Sequence, residues 1–264
     1  MIFCNLQGGL GNMFFQIAAT ISLSIDNDVD FCFPNLNQHL DYLNADNHYN
    51  SKLNHSKEYL IFLKNLQTFN IQYFDSIIKY PFDFVKKDIP KNNVLIDGFF
   101  QSEKYFKHNR ETIIKTFDFK NNISLPNKYK ELLNNKCTSI HVRRGDYVKY
   151  PNLHPTQSLE YYLNSIYLLS HKTDIFLVFS DDINWCKENL KIDNAVYIEN
   201  EKDYIELYLM SLCDNNIISN SSFSWWGAWL NEKEDKTVIG PEKWFGNDIK
   251  HNTGDIIPED WIKL

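Results

Sequence analysis

The sequence predicts an α/β protein with two lobes, each built on a parallel sheet that is covered by helices. The length of 264 residues is comfortable for two small lobes. Short apolar runs alternate with helical stretches, a pattern typical of parallel sheets. The notable polar motifs each follow an apolar run, where ligand-binding loops follow the strands of such sheets. We place an N-terminal lobe at residues 1–135 and a C-terminal lobe at residues 136–264.

The first lobe is predicted to begin with a strand, a glycine turn, a helix and a second strand, at residues 1–6, 8–12, 12–24 and 29–33. Asn12 is a favoured N-cap residue for that helix. Residues 35–92 are rich in Asn and Tyr and show no clear periodicity, so we expect loops and short helices there. A buried strand and a helical spacing follow at residues 94–100 and 102–117.

The second lobe shows a clearer alternation of strands and helices. Strands are predicted at residues 137–142, 175–179, 195–198, 216–219 and 236–239. Helices are predicted at residues 157–170, 182–190, 203–213 and 222–230.

Composition excludes several classes of function. The chain carries 27 Lys and Arg against 34 Asp and Glu, a net charge of −7, which argues against a nucleic-acid partner. Its five cysteines are widely spaced, so neither a disulfide framework nor a zinc site is expected, and a reducing compartment fits. The sequence starts without a signal peptide, and no apolar run reaches the ~20 residues of a membrane helix. We therefore expect a cytoplasmic protein.

The strongest motif follows the strand at 137–142 and reads His141-Val142-Arg143-Arg144-Gly145-Asp146-Tyr147. The chain has only three arginines, and two of them stand here. A guanidinium makes forked hydrogen bonds to phosphate, which a lysine cannot. Alternation along the strand places His141 and Arg143 on the same face. We predict that Arg143 neutralises a diphosphate and that Arg144 braces the loop through Asp146. The alternative is an Arg–Asp pair that only stabilises the turn.

The second motif reads Ser219-Asn220-Ser221-Ser222-Phe223-Ser224-Trp225-Trp226-Gly227-Ala228. A helix that begins here offers free N–H groups and hydroxyls to an anion, so Ser221 and Ser222 are predicted to bind phosphate. Phe223 is placed to cover a sugar or a base. Ordinary N-capping is the alternative for the serines, and we expect the tryptophans to pack in the core.

The glycine turn supplies four further candidates, namely Gly9, Leu10, Gly11 and Asn12. Glycines let the backbone approach a ligand closely. A dinucleotide fingerprint would need a third glycine where the chain has Phe14, so that reading fails.

Carboxylates complete the set of candidates. Glu206, on the helix at 203–213, can accept two hydrogen bonds from guanine, and a solvated Glu on the helix surface is the alternative. Ser180, Asp181 and Asp182 follow the strand at 175–179 and could bind a ribose, while capping of the next helix by Asp182 is equally open. The Asp-x-Asp spacing at residues 26–30 precedes a strand instead of following one, so we expect no metal there.

The order and content of these motifs resemble glycosyltransferase family 11, which contains bacterial and animal α-1,2-fucosyltransferases. The resemblance implies a GT-B-like fold of two Rossmann-like lobes with a cleft between them. It also implies inverting transfer without a metal or any other cofactor, from GDP-fucose held chiefly by the second lobe. In the wider fucosyltransferase group the position that matches Arg143 binds the GDP phosphates, and the position that matches His141 lies near the nucleotide. The acidic residue at the place of Glu206 contacts guanine.

The resemblance further implies that Ser221 and Ser222 hold phosphate. It also implies that the first lobe is the acceptor side, from which its glycine loop faces the fucose. The chain departs from the family pattern at Met13, where a Gln is usual, and at Glu206, where an Asp is common.

We therefore expect transfer of L-fucose from GDP-β-L-fucose to O2 of a terminal galactose in a surface polysaccharide such as an O-antigen. Arg143 and Asp146 are the predicted catalytic residues, Asp146 as the base for the acceptor hydroxyl, with His154 as the alternative base. A lipid-linked acceptor would bring the enzyme to the membrane surface peripherally. Two alternatives are a transferase for another nucleotide sugar and a non-catalytic glycan-binding protein.

Overall fold

The structure, a computed structural model, describes residues 1–45, 55–68 and 73–264. The chain folds into two compact units. Met1–Ile123 and His251–Pro258 form the first, and Ser124–Lys250 and Glu259–Leu264 form the second. The assignment of residues 1–135 to an acceptor lobe and of residues 136–264 to a donor lobe stays a prediction. Parts of the segment predicted as loops and short helices, residues 46–54 and 69–72, lie outside the described residues.

The first unit contains a four-stranded parallel sheet with strands in the order β2-β1-β4-β3. Its strands are β1 (Ile2–Cys4), β2 (Phe31–Cys32), β3 (Ser76–Lys79) and β4 (Val94–Asp97). The central strand β1 is wholly buried. Strand β3 lies in the segment that was predicted to form loops and short helices. It was not predicted because it is a four-residue edge strand with an exposed Ile77, and so it lacks the pattern of a buried strand.

The helices of the first unit are α1 (Leu10–Asn27), α2 (Leu36–Ala45), α3 (Leu60–Leu63), α4 (Arg110–Thr116) and α5 (Phe119–Asn122). Helix α1 packs against β1 and β2, and α4 packs against α1. The N-cap of α1 is Gly9, so the prediction that Asn12 caps this helix is wrong. The helix predicted at 102–117 is a shorter α4 preceded by two 3₁₀ turns, Glu103–Tyr105 and Lys107–Asn109.

Aromatic side chains fill the space between α1 and the later helices. Phe14, which stands where a dinucleotide fingerprint would need glycine, is fully buried and stacks on Phe117 with ring centroids 3.9 Å apart. The segment His251–Pro258 joins this unit through Asp255, whose Oδ2 accepts the Phe84 N–H over 3.2 Å. The first unit is therefore completed by a segment distant in sequence.

The second unit contains a six-stranded parallel sheet with strands in the order β10-β9-β8-β5-β6-β7. Its elements are α6 (Asn127–Leu132), β5 (Cys137–Val142), α7 (Leu159–Leu169), β6 (Ile175–Ser180), α8 (Ile183–Asn189), β7 (Ala195–Tyr197), α9 (Asp203–Leu212), β8 (Asn215–Ile217), α10 (Ser222–Trp229), β9 (Val238–Gly240) and β10 (Ile262–Lys263). The predicted alternation is confirmed, and the terminal β10 was not predicted. The central β5 pairs with β6 on one side and β8 on the other.

Both faces of this sheet are covered. Side chains alternate along β6, so that Val178 joins a cluster with Tyr162 of α7, while Phe179 joins another with Met210 of α9. The predicted core packing of the tryptophans in α10 is confirmed, since Trp225 and Trp226 are fully buried.

All five cysteines are buried and free. In the part of the chain that the structure describes, no helix is both long and apolar enough to cross a membrane.

Candidate functional site

Three segments leave the carboxyl edge of the second unit's sheet side by side. They follow β5, β6 and β8, and β5 lies between the other two. Residues 143–147, 181–182 and 218–222 therefore meet at one edge, which is where parallel sheets bind ligands.

Arg143 lies between two carboxylates. Its Nη2 donates to Asp146 Oδ1 over 2.7 Å, and its Nη1 lies 3.0 Å from Asp181 Oδ2. The guanidinium carbon also lies 5.3 Å from the ring centroid of Tyr147. Burial disfavours the charged guanidinium, but Asp181 and Asp146 outweigh this effect and raise the pKa of Arg143 above its ordinary value. Arg143 is therefore a fixed cation at this edge.

Arg144 points to the other side of the loop, as strand alternation predicts. Its Nε donates to Asp182 Oδ2 over 3.0 Å, and its guanidinium carbon lies 4.1 Å from the ring centroid of Trp185. The predicted brace from Arg144 to Asp146 is therefore wrong, because Asp146 is bound to Arg143 instead.

The segment after β6 supports both arginines. Asp181 Oδ1 accepts the backbone N–H of Arg144 over 2.8 Å. Asp182 Oδ1 accepts the Trp185 N–H over 3.3 Å and so caps α8, which confirms the capping interpretation. The buried Ser180 Oγ accepts the Asp182 N–H over 2.9 Å. Sequence reasoning did not identify Trp185, since nothing in its surroundings marks it as different from a core tryptophan.

His141 connects the end of β5 to the start of α10. The imidazole is buried, and its Nδ1 lies 2.8 Å from Ser219 Oγ. The same ring lies 5.5 Å from the ring of Phe223, centroid to centroid. Phe223 in turn packs against the cluster that contains Leu209 and Met210. His141, Ser219 and Phe223 thus hold the segment after β8 against β5.

Tyr147 makes a second connection to the same segment. Its hydroxyl donates to the Asn220 carbonyl over 3.1 Å. Asn220 Nδ2 donates to the carbonyls of Pro155 and Trp244, both over 2.9 Å. Sequence reasoning gave no role to Tyr147 in the first motif or to Asn220 in the second. The available signal was a tyrosine at the end of an Arg-rich loop.

The second candidate base, His154, lies in the same cluster. Its ring stacks on Tyr147 with centroids 5.0 Å apart. Burial lowers the pKa of His154, Asp146 opposes this effect, and Arg143 adds to it. Burial also raises the pKa of Tyr147 to about 12, so Tyr147 is a neutral phenol at physiological pH. Both Asp146 and His154 therefore lie near Arg143.

The start of α10 offers main-chain N–H groups at this edge. Ser221 is the N-cap residue and is extended, with φ −131° and ψ 127°, and its side chain makes no capping hydrogen bond. The ordinary capping role considered for this hydroxyl is therefore not observed. The first N–H groups of a helix have no partner inside the helix, and they carry the positive end of its dipole. Ser221 and Ser222 stand at that end.

Glu206 lies in the first turn of α9 and is buried, so the alternative of a solvated surface glutamate is wrong. Helices α9 and α10 pack closely, since a Cβ on Gly227 would come within 2.9 Å of Met210 Cβ. Both helices follow strands of the same parallel sheet, so both begin at its carboxyl edge. This topology places Glu206 and Ser222 at the same edge as Arg143.

The glycine turn belongs to the first unit, where side chains from elsewhere hold it. Gly8 has a φ of +76°, and its carbonyl lies 2.8 Å from His39 Nε2. The Gln7 N–H donates to Gln16 Oε1 over 2.9 Å, and Gln101 Nε2 donates to Asn12 Oδ1 over 2.8 Å. The turn is therefore built with a defined conformation.

The candidates within this turn differ in exposure. Gly9 and Asn12 are partly exposed, and a Cβ on Gly9 would have no atom within 4 Å. Leu10 and Gly11 are buried and form the start of α1. Met13, where the family pattern has Gln, is fully buried in the core.

Among residues 1–45, 55–68 and 73–264, no three His, Cys, Asp or Glu side chains are grouped so that they could hold a metal ion. Asp26, from the Asp-x-Asp spacing, instead lies 2.9 Å from His108 Nε2.

Comparison with known proteins gives a consistent result. The sequence model of Glycosyl transferase family 11 matches residues 1–264. The chain is 32% identical to the alpha-1,2-colitosyltransferase of Escherichia coli, over 100% of this chain and 99% of that protein. It is 34% identical to the O-antigen biosynthesis glycosyltransferase WbnK of Escherichia coli, over 66% of this chain and 62% of that protein.

Among solved structures, the chain is similar to NodZ alpha-1,6-fucosyltransferase co-crystallized with GDP. The TM-score is 0.51 at 10% sequence identity, and the match covers 86% of this chain and 91% of that chain. At this identity the likeness concerns the fold alone. It confirms the predicted GT-B-like α/β architecture with parallel sheets.

Proposed function

Because the chain belongs to glycosyltransferase family 11, we propose that it transfers L-fucose from GDP-β-L-fucose to O2 of a terminal galactose on a glycan. The transfer inverts the anomeric carbon and needs no metal. One observation carries the proposal. Arg143 and the start of α10 lie at the same sheet edge and are connected through Tyr147, whose hydroxyl donates to the Asn220 carbonyl. A cation and a helix N-terminus together form a site for a diphosphate.

Arg143 and the N-terminus of α10 bind the two phosphates of the donor in this proposal. Both stabilise the charge that develops on the leaving GDP as the bond to the sugar breaks. Pre-organised donors of this kind typically contribute on the order of 10²–10³ in rate. The bonds from His141 to Ser219 and from Tyr147 to Asn220 hold the two parts in place before the donor arrives.

Glu206 provides selection for guanine. A carboxylate accepts hydrogen bonds from both N1–H and the exocyclic amine, and guanine alone among the bases offers that pair of donors on one edge. The position of Glu206 supports this role, because it lies in the first turn of α9, which begins at the carboxyl edge of the sheet. Asp182 and Phe223 flank the same edge and would contact the ribose and the base.

Asp146 is proposed as the base that accepts the proton of the acceptor hydroxyl. Its carboxylate is exposed enough to meet an acceptor, with a side-chain exposure of 41%. His154 is the second candidate, since its lowered pKa leaves a neutral imidazole at physiological pH. The glycine turn, with Gly9 and Asn12 at its surface, would contact the transferred sugar.

The acceptor is proposed to be a galactose-terminated glycan of a surface polysaccharide, because one of the similar proteins acts in O-antigen biosynthesis. Cytoplasmic GDP-sugars would supply the donor, so a cytoplasmic location follows. A lipid-linked acceptor would recruit the enzyme to the membrane surface peripherally.

A second donor is favoured by one specific finding, the 32% identity to an alpha-1,2-colitosyltransferase over the whole chain. Colitose is L-fucose without its 3-hydroxyl, so both sugars have the same configuration and differ by one polar group. A site that hydrogen-bonds the 3-hydroxyl would reject colitose strongly, whereas an apolar contact there would accept both.

The purified protein incubated with GDP-fucose or GDP-colitose and a β-galactoside tests the proposal. Release of GDP and NMR of the product would identify the sugar and the linkage, and EDTA would test the independence from metal. Isothermal titration with GDP, UDP and CDP gives a separate measure of the base preference. Absence of turnover with both donors, together with absence of GDP binding, would overturn the proposal and favour a glycan-binding protein.

A further inference from the structure

Arg143 has two carboxylate partners that differ sharply in how firmly they are held. Asp181 and Asp146 lie 3.0 and 2.7 Å from opposite terminal nitrogens of the guanidinium. The Asp181 side chain is 6% exposed and the Asp146 side chain 41% exposed. A donor diphosphate that approaches from solvent would therefore meet Asp146 and not Asp181.

Asp181 is fixed by its place in the fold. It directly follows β6, and its second oxygen accepts the Arg144 backbone N–H over 2.8 Å. Its Oδ2 is inaccessible to solvent and accepts no hydrogen bond from the described residues, so Arg143, whose Nη1 lies 3.0 Å away, is its counter-ion. Separation of a buried carboxylate from its cation is strongly unfavourable. Asp181 therefore stays with Arg143 in any state of the site.

Asp146 is held at Arg143 less firmly than Asp181 is. It lies in the turn after β5, three residues from the arginine that it contacts, and its side chain is partly open to solvent. An ion pair whose carboxylate is open to water contributes less net stability than a buried one, because water competes for that carboxylate. The one arginine and two aspartates sum to a charge of −1, which disfavours a diphosphate. Without Asp146 on the guanidinium, the Arg143–Asp181 pair is neutral and Nη2 has a free donor.

We propose that Asp146 occupies, in the free enzyme, the Arg143 nitrogen that the donor diphosphate takes. Asp181 is the permanent counter-ion and acts as a positioning residue, while Asp146 is exchangeable. The inference rests on the proposed function, since it assumes that Arg143 binds the diphosphate. Donor binding would thus release the Asp146 carboxylate, which makes it available to the acceptor hydroxyl only when the donor is in place.

The exchange predicts changes of opposite sign in GDP affinity, measured by isothermal titration on the full chain. Asp146→Asn should bind GDP about two- to fivefold more tightly, the range that an exposed ion pair of ordinary strength allows. Transfer by the same variant should nevertheless fall. Asp181→Asn should bind GDP at least about tenfold more weakly, because Arg143 loses the partner that positions it.

Two control variants separate the exchange from general effects. Asp182→Asn removes one negative charge at the residue after Asp181, from a carboxylate that binds Arg144 and not Arg143. This variant should not bind GDP more tightly than the wild type. Asp214→Asn loses a similar pair of contacts at the other end of β5, namely the Cys137 N–H at 2.8 Å and Lys233 at 3.2 Å. Its GDP affinity should equal that of the wild type.

The exchange would be wrong if Asp146→Asn bound GDP no better than the wild type, or if Asp182→Asn tightened binding equally. The exposed Asp146 can be replaced without disturbing the core, so this result stands even if Asp181→Asn fails to fold. Failure of the proposed function looks different. In that case the wild type would not bind GDP, or Arg143→Ala would bind it as well as the wild type.

Discussion

The hydroxyl of Tyr147 donates to the main-chain carbonyl of Asn220 over 3.1 Å, and this single bond connects the loop after β5 to the turn before α10. The Tyr147 ring also lies under the Arg143 guanidinium and against the His154 imidazole. The two halves of the proposed phosphate site therefore share one aromatic side chain. Changes at this side chain test whether the two halves act together.

Tyr147→Phe removes the hydroxyl and keeps the ring contacts. We expect a loss of about 1 kcal/mol in the free energy of unfolding, the usual net contribution of one hydrogen bond. The KM for the donor should rise, because the N-terminus of α10 loses a tether to the Arg143 loop. Urea unfolding and initial rates against donor concentration measure the two effects. Tyr167→Phe, on an exposed tyrosine, is the control and should change neither. An unchanged donor KM in Tyr147→Phe would contradict the shared role.

Glu206→Gln tests the selection of guanine. The amide presents one acceptor and one donor group where the carboxylate presents two acceptors, so the paired bond to guanine is lost. We expect at least about tenfold weaker GDP binding, since hydrogen bonds to charged groups contribute about 1.5–3 kcal/mol. Inosine diphosphate lacks the exocyclic amine and should bind the wild type less tightly than GDP.

Titration of both nucleotides into both proteins gives the answer in one experiment. The preference of the wild type for GDP over inosine diphosphate should largely disappear in Glu206→Gln. A preference that persists would assign the recognition of guanine to another group. Glu160→Gln, on the outer face of α7, gives a control for the change in net charge.

The sequence predicted the second unit well because its signals are local. Strands such as β6 are all-apolar runs, and Asp182 stands at a favoured capping position, which its contact with Trp185 confirms. The first unit was harder to predict. The edge strand β3 alternates between partly buried and exposed residues and has no fully buried one, so it lacks the apolar run that marks β6.

Side-chain partners at the site were predicted less well than the site itself. The alternation rule placed Arg143 and Arg144 on opposite sides, as observed, but Arg144 binds Asp182, which comes from a different strand end. That pairing depends on the order of strands in the sheet, and a single sequence does not state which strand is the neighbour of β5. For the same reason Glu206 could not be identified as buried from its helix alone.

His154 predicts a dependence of stability on pH. Burial holds its folded-state pKa below the ordinary value of 6.5. Between these two pKa values the unfolded chain binds more protons than the folded one, so the free energy of unfolding rises with pH. The contribution of His154 is complete above about pH 6.5 and is lost as the pH falls through the folded pKa. The pKa of His39 is lowered as well, mainly by burial, so it adds a dependence of the same sign.

Urea unfolding at pH 5 and pH 7.5 measures this effect. The difference in stability between the two pH values should be smaller in His154→Gln than in the wild type, because the contribution of His154 is removed. His171→Gln, which changes an exposed imidazole, should keep the wild-type difference. Equal differences in all three proteins would show that His154 takes up its proton without a cost to the fold.

Gly8 and Gly9 give a matched pair for the glycine turn, because they are adjacent and only one is conformationally constrained. Gly8 has a φ of +76°, and a Cβ there would come within 2.5 Å of Asn12 Nδ2, so Gly8→Ala should cost about 1–2 kcal/mol of stability. Gly9 has a φ of −78° and open space around its Cα, so Gly9→Ala should lose less stability.

If the turn contacts the transferred sugar, the added methyl of Gly9→Ala should instead lower kcat/KM by about tenfold or more, since a small misplacement of substrate costs up to about 10²-fold. Thermal unfolding and initial rates on both variants separate the two effects, and full activity in a well-folded Gly9→Ala would remove the glycine turn from the active site.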